Sequence, residues 1–486
     1  GYMFYPKNPA KSWTKDPPGL GSKIVSYTNA GAPLAPTPLG NNPAWQEVNK
    51  ELNASVDFQI ISQADYPAKL ATMMAGNDLT DYVLIGLNVQ NLTAFLEARA
   101  ADLTPYLAGD KIKDYPNLAA LPPYSWTNPA CARDGKLYMF PIARAYPGNM
   151  MWYNATIWDA EIGKDYQPKD SDDLMRIFTA LNKPSSNRWA FGSFLNRTDQ
   201  FLYFASMFGA PQTWRLESDG KLTRDIETPE FKAGIAYANQ IVKAGMTVPD
   251  ASANVTAARD PWIAGKFVVD TQTFGNAWQD AWFRGQSQKP TAIPHAVTPF
   301  AADGKSKPVH YVGRGYYSTT MLKQAPADRI KELLRVADFL AAPFGSAEDL
   351  LLTTGVKDRD YSLDTEGNVT PTPQSNQDAN SVPWKYVTQH PYIAFWAGVP
   401  DYAKAATDYE KVAIPAGVQD PTIGLATPTL DKQGTPLLNN LNSALTDMVV
   451  GRRPMSDYDQ VVKDWQNGGG NQIRTELQQA LAAAKG

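Results

Sequence analysis

The sequence predicts an α/β fold with a mostly parallel sheet, in a chain of more than one domain. Strand-like and helix-like segments alternate from residue 22 to residue 100, an order typical of parallel strands with helices on both faces of the sheet. A length of 486 residues exceeds what one hydrophobic core usually organises. The hydrophobic fraction of 43% and the charged fraction of 19% are those of a globular protein and argue against a disordered or fibrous chain.

Three pairs of strand and helix open this pattern. Short apolar runs flanked by polar turn residues predict the strands. Asn42-Pro43 predicts a helix start, because asparagine accepts from the free amides of the first turn and proline suits the first helical position. The predicted elements are, in order, a strand at 23–27, a helix from 43 to 52, a strand at 56–61, a helix from 66 to 76, a strand at 81–86 and a helix from 92 to 100.

Polar residues follow each of these strands. Asn29 follows the first strand, Gln63 and Asp65 follow the second, and Asn88 follows the third. Ligands of such sheets bind beyond the carboxyl ends of the strands, so these four are candidate ligand-binding residues. Asn29 and Asp65 are equally well explained as turn or cap residues, because short polar side chains bond to nearby backbone groups.

The rest of the chain continues the α/β pattern and ends in helices. Helical spacing is clearest after Pro326, where Ile330, Leu333 and Leu340 share one face. Residues 355–384 are rich in Thr, Asn, Asp, Gly and Pro, which predicts a loop with short turns. The further predicted elements are strands at 135–141, 150–154, 265–270 and 309–320, the last interrupted at 313–316, helices at 172–181, 201–208, 230–244 and from 326, and a helical tail from 456 that is broken at 468–470.

Composition argues against several classes of function. The 45 Lys and Arg residues against 49 Asp and Glu give a net charge of -4 with no basic run, so no nucleic-acid partner is expected. Cys131 is the only cysteine, which leaves no internal disulfide. His295, His310 and His390 lack the spacing of helical metal ligands. We therefore predict no cofactor, and no apolar run of 18 residues predicts a membrane span.

Catalytic motifs give no positive signal. The chain has no G-x-S-x-G motif, and the glycines Gly313 and Gly315 lack the third member of the dinucleotide fingerprint. Asp364 to Gly367 lacks the length and ligand order of a calcium loop. A glycoside hydrolase stays open, because two carboxylates suffice for its chemistry and the chain has 49 acidic residues.

Six short segments, taken in their order along the chain, resemble the extracellular solute-binding proteins of bacterial ABC importers. The resemblance is to the large, often lipid-anchored oligosaccharide-binding group, and it extends from about residue 22 to the C-terminus. The segments are Tyr66 to Tyr82, Ala101-Asp-Leu-Thr-Pro-Tyr106, Asp134-Gly-Lys-Leu-Tyr-Met-Phe-Pro141, Trp152-Tyr-Asn154, Gly265-Lys-Phe-Val-Val269 and Trp465-Gln-Asn-Gly-Gly-Gly470.

The resemblance implies a two-lobed, periplasmic-binding-protein-like fold of type II, with the ligand cleft between the lobes and an extra C-terminal helical region. Lobe one would contain 22–148 and 299–342, and lobe two 149–298 and 343–486. The implied function is non-catalytic binding of an oligosaccharide and its delivery to the permease subunits of an ABC transporter. The alternative from another class is a secreted glycoside hydrolase or polysaccharide lyase.

The resemblance also implies site residues. The segment after Gly265 to Val269 faces the cleft in this family, which adds Asp270, Gln272 and Trp278 to the candidates. Arg144 and Arg314 are equally well explained as partners in structural ion pairs. The alternative for Trp384 and Trp396 is that they cap the core of the helical subdomain. The residues added by their place in the order of segments are Arg144, Trp214, Arg314, Tyr316, Trp384 and Trp396.

The family places its members outside the cytoplasm. We therefore expect a monomer that is extracellular, at the cell surface, or periplasmic. Any contact with the membrane would be made by a lipid anchor on the precursor. The family's lipidated cysteine is absent before the first predicted strand, which leaves membrane anchoring open.

Overall fold

Two β-sheets, each lying between two layers of apolar side chains, organise the protein. The computed structural model describes residues 2–30, 35–76, 78–86, 89–126, 130–192, 194, 198–249, 259–274, 278, 281–282 and 291–483. The predicted α/β class is confirmed.

The helices and strands follow the predicted alternation. The first third contains β1 (Lys23–Ala30), α1 (Pro43–Leu52), β2 (Ser55–Ser62), α2 (Tyr66–Ala75), β3 (Tyr82–Ile85), α3 (Leu92–Arg99), α4 (Thr104–Leu107), α5 (Pro116–Ala119), β4 (Ala132–Arg133), β5 (Lys136–Leu137) and β6 (Met139–Ala143). The middle contains β7 (Asn149–Asn154), α6 (Ala155–Glu161), α7 (Ser171–Leu181), β8 (Trp189–Phe191), α8 (Thr198–Met207), β9 (Trp214–Leu216), β10 (Leu222–Arg224), α9 (Pro229–Lys243), α10 (Arg259–Ile263), β11 (Phe267–Thr273) and β12 (Pro294–Ala296).

The last third contains the return to the first sheet and the C-terminal helices. Its elements are β13 (His310–Tyr311), β14 (Tyr316–Leu322), α11 (Ala327–Leu340), α12 (Ala347–Thr353), β15 (Tyr361–Leu363), β16 (Val369–Pro371), α13 (Pro373–Ser375), α14 (Pro400–Ala413), β17 (Gly417–Val418), α15 (Pro428–Val449), α16 (Tyr458–Trp465) and α17 (Asn471–Ala483).

The first sheet forms the centre of lobe one and has the strand order β2-β1-β3-β14-β6. β1 pairs parallel with β2 and β3, as predicted, whereas β14 runs antiparallel to β3 and β6. Alternate side chains enter opposite cores, because successive residues of a strand point to opposite faces. Ile24 and Tyr82 pack under α1 and α11, and Tyr27 and Val83 pack under α2 and α3.

The second sheet forms the centre of lobe two and has the order β12-β7-β11-β8. β7 shows the same alternation: Met151 and Tyr153 face one hydrophobic core, and Met150 and Trp152 face the other. The C-terminal helices α15, α16 and α17 close the first of these cores with apolar residues that include Leu445. The predicted helical tail is therefore part of lobe two.

The chain crosses between the lobes at paired segments. Pro147 and Val312 form an antiparallel bridge, and the amide of Gly313 donates to the carbonyl of Tyr146 over 2.6 Å. Gly148 is needed there because a Cβ at this position would lie 2.2 Å from the carbonyl oxygen of Tyr311. A third crossing follows Thr388. The Thr388 hydroxyl donates to the carbonyl of Pro141 in lobe one over 3.3 Å, whereas Ala394 packs in lobe two.

Two boundaries differ from the predicted lobes. Residues 299–302 pack in lobe two, where the amide of Ala302 donates to the carbonyl of Met207. Residues 343–387 were predicted in lobe two, but Leu352 and Trp384 belong to the core of lobe one. A local pattern predicts that a segment is apolar but does not say which sheet it covers.

The residues before the first strand also belong to lobe one. Trp13 packs edge-on against Phe339 of α11, with ring centroids 6.3 Å apart. None of the helices in the described ranges has both the length and the apolar character needed to cross a bilayer.

Candidate functional site

A cavity of about 510 Å³ lies between the two lobes. This volume is in the range of pockets that bind small molecules. Lobe one contributes the end of β3, Arg133 and the start of β14, and lobe two contributes the β9–β10 hairpin, the loop 420–426 and one side of α15. A ligand in this cavity contacts both lobes and lies beside the crossing segments.

The floor of the cavity is apolar. Leu441 and Leu445 of α15 and Leu477 of α17 line it. Trp214 and Trp465 stand beside them with ring centroids 5.8 Å apart. Because Trp214 is only 4% exposed, its ring mainly supports the wall of the cavity.

Charged residues of lobe two stand above this floor. Arg224 lies over the rings of Trp214 and Trp465, at 5.3 and 5.5 Å from their centroids. Its Nε is 3.0 Å from Oδ1 of Asp225. Burial raises the pKa of Asp225 to about 6, and Arg224 opposes this shift by stabilising the carboxylate.

Asp420 supplies a second oriented carboxylate on the same side. Its Oδ1 accepts from the amide and the hydroxyl of Thr422 over 2.8 and 2.7 Å. Burial raises its pKa as well. Asp225 and Asp420 are therefore fixed acceptors in a partly dehydrated wall, where hydrogen bonds to hydroxyl groups are strong.

The wall of lobe one carries arginine and tyrosine. Arg133, Arg314 and Tyr316 all line the cavity. Arg133 is half-buried, and burial lowers the pKa of its guanidinium. Arg314 is exposed to the cavity.

The lobes touch at the edge of the cavity. The amide of Asn91, before α3, donates to the carbonyl of Asp431 in α15 over 3.3 Å. The side chain of Gln90 donates to the carbonyl of Lys432 over 3.4 Å. These contacts join lobe one to lobe two away from the crossing segments.

Several predicted site residues meet at this interface. Trp214, Arg314 and Tyr316 line the cavity itself. Asn29 and Arg144 do not line it and instead meet at Tyr317 of lobe one: the Asn29 amide donates to the Tyr317 hydroxyl over 3.2 Å, and the Arg144 guanidinium lies 5.0 Å from its ring centroid.

Arg144 contacts this ring instead of the carboxylate that an ion-pair role would require. The amide of Arg144 donates to the carbonyl of Gly315 over 2.9 Å, which places Arg144 beside Arg314 and Tyr316.

Asp270 and Gln272 lie inside lobe two. Asp270, 2% exposed, accepts from Nε2 of Gln200 over 2.6 Å, from Nε2 of Gln272 over 2.8 Å and from the amide of Thr271 over 2.9 Å. An acid at the end of an apolar strand needs such partners. Neither Asp270 nor Gln272 lines the interlobe cavity, and their predicted contact with a ligand stays a prediction.

Trp278 and Trp396 belong to another part of lobe two. Trp278 lines a separate cavity of about 610 Å³ with Trp282 and Tyr409, beside the edge strand β12. Trp396 is half-buried against the same hydrophobic core. Trp384, by contrast, packs in the core of lobe one with its ring 5.1 Å from that of Phe58, and its predicted contact with a ligand stays a prediction.

The remaining candidates follow strands of the first sheet. Gln63 and Asp65 are exposed, and Asp65 accepts from the hydroxyl of Ser62 over 2.6 Å, which is the turn role that was its alternative. Asn88 lies outside the described residues.

Sequence reasoning missed Arg133, Arg224, Asp225 and Asp420. Arg133 directly precedes the recognised segment at 134–141, so its position was a usable signal. The other three lie in a short hairpin and a loop with no distinctive motif. Among the described residues, no group of three or more His, Cys, Asp or Glu side chains is arranged to hold a metal ion.

A model of the bacterial extracellular solute-binding protein family matches residues 44–291, more than half of the chain. The protein therefore belongs to the bacterial extracellular solute-binding proteins, as the resemblance implied.

Two relatives from Bacillus subtilis align over most of their length. The lipoprotein LipO is 22% identical, over 92% of this chain and 90% of LipO. The polygalacturonan/rhamnogalacturonan-binding protein YtcQ is 23% identical, over 91% of this chain and 88% of YtcQ. Among solved structures, the S. pneumoniae ABC-transporter substrate-binding protein FusA in complex with kestose has a TM-score of 0.68 at 16% identity, covering 95% of this chain and 99% of FusA. The last likeness confirms the two-lobed fold.

Proposed function

We propose that the protein binds an oligosaccharide between its lobes and delivers it to the permease of an ABC importer. The observation that carries this proposal is the interlobe cavity, in which an apolar floor is combined with fixed charged and hydroxyl groups. The names of YtcQ and of the FusA complex, a glycan-binding relative and a structural neighbour with a bound trisaccharide, support it.

The chemistry of the cavity suits a sugar. Asp225 and Asp420 offer acceptors for hydroxyl groups, and Arg133 and Arg314 offer donors. The leucines of the floor accommodate the apolar C–H faces of sugar rings. Tyr316, half-buried at the start of β14, presents both an aromatic ring and a hydroxyl group.

Binding is coupled to closure of the lobes in this proposal. The crossings at Pro147 and Val312 act as a hinge, and the contact between Asn91 and Asp431 belongs to the closed form. A ligand that touches both lobes favours the closed form by its differential affinity. The permease then receives a closed, loaded protein, which a lipid anchor on the precursor would hold at the outer face of the membrane.

Calorimetry with a panel of oligosaccharides tests the binding step. We expect one-site binding in the micromolar to sub-micromolar range, about -8 to -10 kcal/mol, because an import protein must also release its ligand. Overnight incubation should leave the chromatogram of the bound sugar unchanged. Shorter products would support the glycoside hydrolase or lyase instead.

Small-angle scattering on the same sample tests closure. The radius of gyration should decrease at saturating ligand. An unchanged radius with binding confirmed would contradict the hinge and favour a rigid groove.

A further inference from the structure

We propose that the ligand is an acidic oligosaccharide whose carboxylates are bound by arginines of lobe one. This inference rests on the proposed function and specifies its substrate class. It is carried by the guanidinium groups of Arg133 and Arg314, which line the interlobe cavity from lobe one, and by that of Arg144, which is outside the cavity lining but whose amide donates to the carbonyl of Gly315 beside them. None of the three has a carboxylate at ion-pair distance among the residues that the structure describes.

Arg133 is the most informative of the three. One terminal nitrogen donates to the carbonyl of Ala132 over 2.6 Å, but its Nε is buried and without a hydrogen-bond partner in the described part of the chain. A half-buried cation without a counter-ion is costly, because dehydration is not repaid by an ion pair. A carboxylate entering the cavity would supply the missing partner.

Arg144 and Arg314 lie nearer the crossing segments in the chain, and of these two only Arg314 lines the cavity. The Nε of Arg144 is also buried and unpartnered within the described ranges. Its terminal nitrogen donates to the carbonyl of Ala143 over 3.2 Å, and Tyr317 supports the plane of the guanidinium from one side. Arg314, two residues before Tyr316, is exposed at the cavity.

Two other arginines have counter-ions. Arg329 is 2.9 Å from Asp81 and 2.7 Å from Glu332, and Arg474 is 2.5 Å from Glu227, although its Nε is also buried without a hydrogen-bond partner among the described residues. Arg329 and Arg474 each have a carboxylate at ion-pair distance, which Arg133, Arg144 and Arg314 lack among the described residues.

The acids that line the cavity are on the opposite side and do not neutralise the arginines of lobe one. Asp225 is paired with Arg224 of its own lobe. Asp431 attracts Arg133 across the gap but forms no ion pair with it among the contacts of the described residues. A uronic acid would therefore bind with its carboxylate toward lobe one and its hydroxyl groups toward Asp420. Planar guanidinium groups match a carboxylate in two-point hydrogen bonds.

The test compares acidic and neutral ligands of equal length by calorimetry. The acidic probes are tetragalacturonate and tetramannuronate, and the neutral probes are their methyl esters, cellotetraose and maltotetraose. We expect at least one acid to bind ten- to hundred-fold more tightly than its own ester, the range that hydrogen bonds to a charged group produce. Raising the salt concentration should weaken the binding of the acidic probes and leave the binding of the neutral probes unchanged.

Variants test whether the arginines of lobe one cause the preference for the acid over its ester. Arg133→Gln and Arg314→Gln should each lower the ratio of acid to ester affinity about tenfold or more, and Arg133→Lys should restore part of it. Arg335→Gln is the matched control. Like Arg133, Arg335 has a buried Nε without a hydrogen-bond partner among the described residues and donates to backbone carbonyls, but it lies far from the cavity, over the ring of Trp13 at 5.7 Å. Thermal melting of each variant checks that it is folded.

The outcomes separate the two proposals. Tight binding of neutral probes with equal affinity for acids and esters overturns the acidic ligand and leaves oligosaccharide binding in place. An acid preference that survives in both glutamine variants also overturns it. Absence of binding to every acidic and neutral probe counts against both proposals.

Discussion

Replacing Asp270 tests whether this buried acid stabilises lobe two or binds ligand. Asp270→Ala removes the acceptor of three buried donors, on Gln200, Gln272 and the amide of Thr271. Each buried donor left without a partner costs about 1 to 3 kcal/mol. Gln200 keeps a longer contact, 3.4 Å to the Thr271 carbonyl, so we expect a total loss of roughly 3 to 6 kcal/mol, a large share of a typical domain's stability.

Asp270→Asn is the matched control for this change. It keeps one oxygen, and rotation of the Gln272 amide supplies an acceptor to the new NH₂ group, so the expected loss is below about 2 kcal/mol. Urea unfolding followed by tryptophan fluorescence measures both variants, since Trp152 lies opposite Asp270 in the sheet. An alanine variant within about 0.5 kcal/mol of the parent would refute the reasoning. An asparagine variant of normal stability that binds ligand weakly would instead support the ligand contact predicted from the sequence.

Three other changes test the hinge, the core of lobe one and a buried ion pair. Gly148→Ala should displace the crossing strand from the Tyr311 carbonyl and cost about 1 to 3 kcal/mol, with a changed ligand-free radius of gyration by scattering; an unchanged melting temperature and radius would contradict the tight crossing. Trp384→Ala should lower the free energy of unfolding in urea by about 3 to 5 kcal/mol and leave the ligand affinity unchanged. Weaker ligand binding at unchanged stability would instead support a role of Trp384 in the binding site. Burial lowers the pKa of His390, but Asp349, 3.2 Å away, raises it more, so the net shift is upward. The stability from this pair is therefore present below about pH 6.5 and lost as the pH rises through the higher folded pKa; melting temperatures should fall from pH 6 to pH 8 by more in the parent than in His390→Gln, and equal slopes would exclude the pair as the cause.

Local patterns predicted most elements of the two sheets. The start of α1 was predictable because its signal is local: the side chain of Asn42 accepts from the amide of Trp45 over 2.9 Å, as the cap requires. By contrast, α15 was not predicted, since Gly434 and Pro436 interrupt its pattern. Burial of its Leu445 face against lobe two favours the helix despite these residues.

Contacts between distant segments were not predictable from one sequence. The partner of Asp270 is Gln200, 70 positions earlier in the chain, and strand composition contains no information on that pairing. The sequence likewise could not place Trp278, which lines a separate cavity, or Trp384, which packs in a core of lobe one, and their contact with a ligand stays a prediction. An aromatic side chain gives the same sequence signal whether it lies in a ligand site, in a separate cavity or in a core.

The position of α15 means that different parts of the chain discriminate between ligands by size and by charge. Leu437, Leu438 and Leu441 of this one helix limit how deep the cavity is, whereas Arg133 and Arg314 sit on a different lobe. Truncating a leucine would make room for a longer or branched ligand without moving a guanidinium. If the arginines bind the ligand as proposed, its size and its charge are recognised by different lobes, and a substitution can change one without the other.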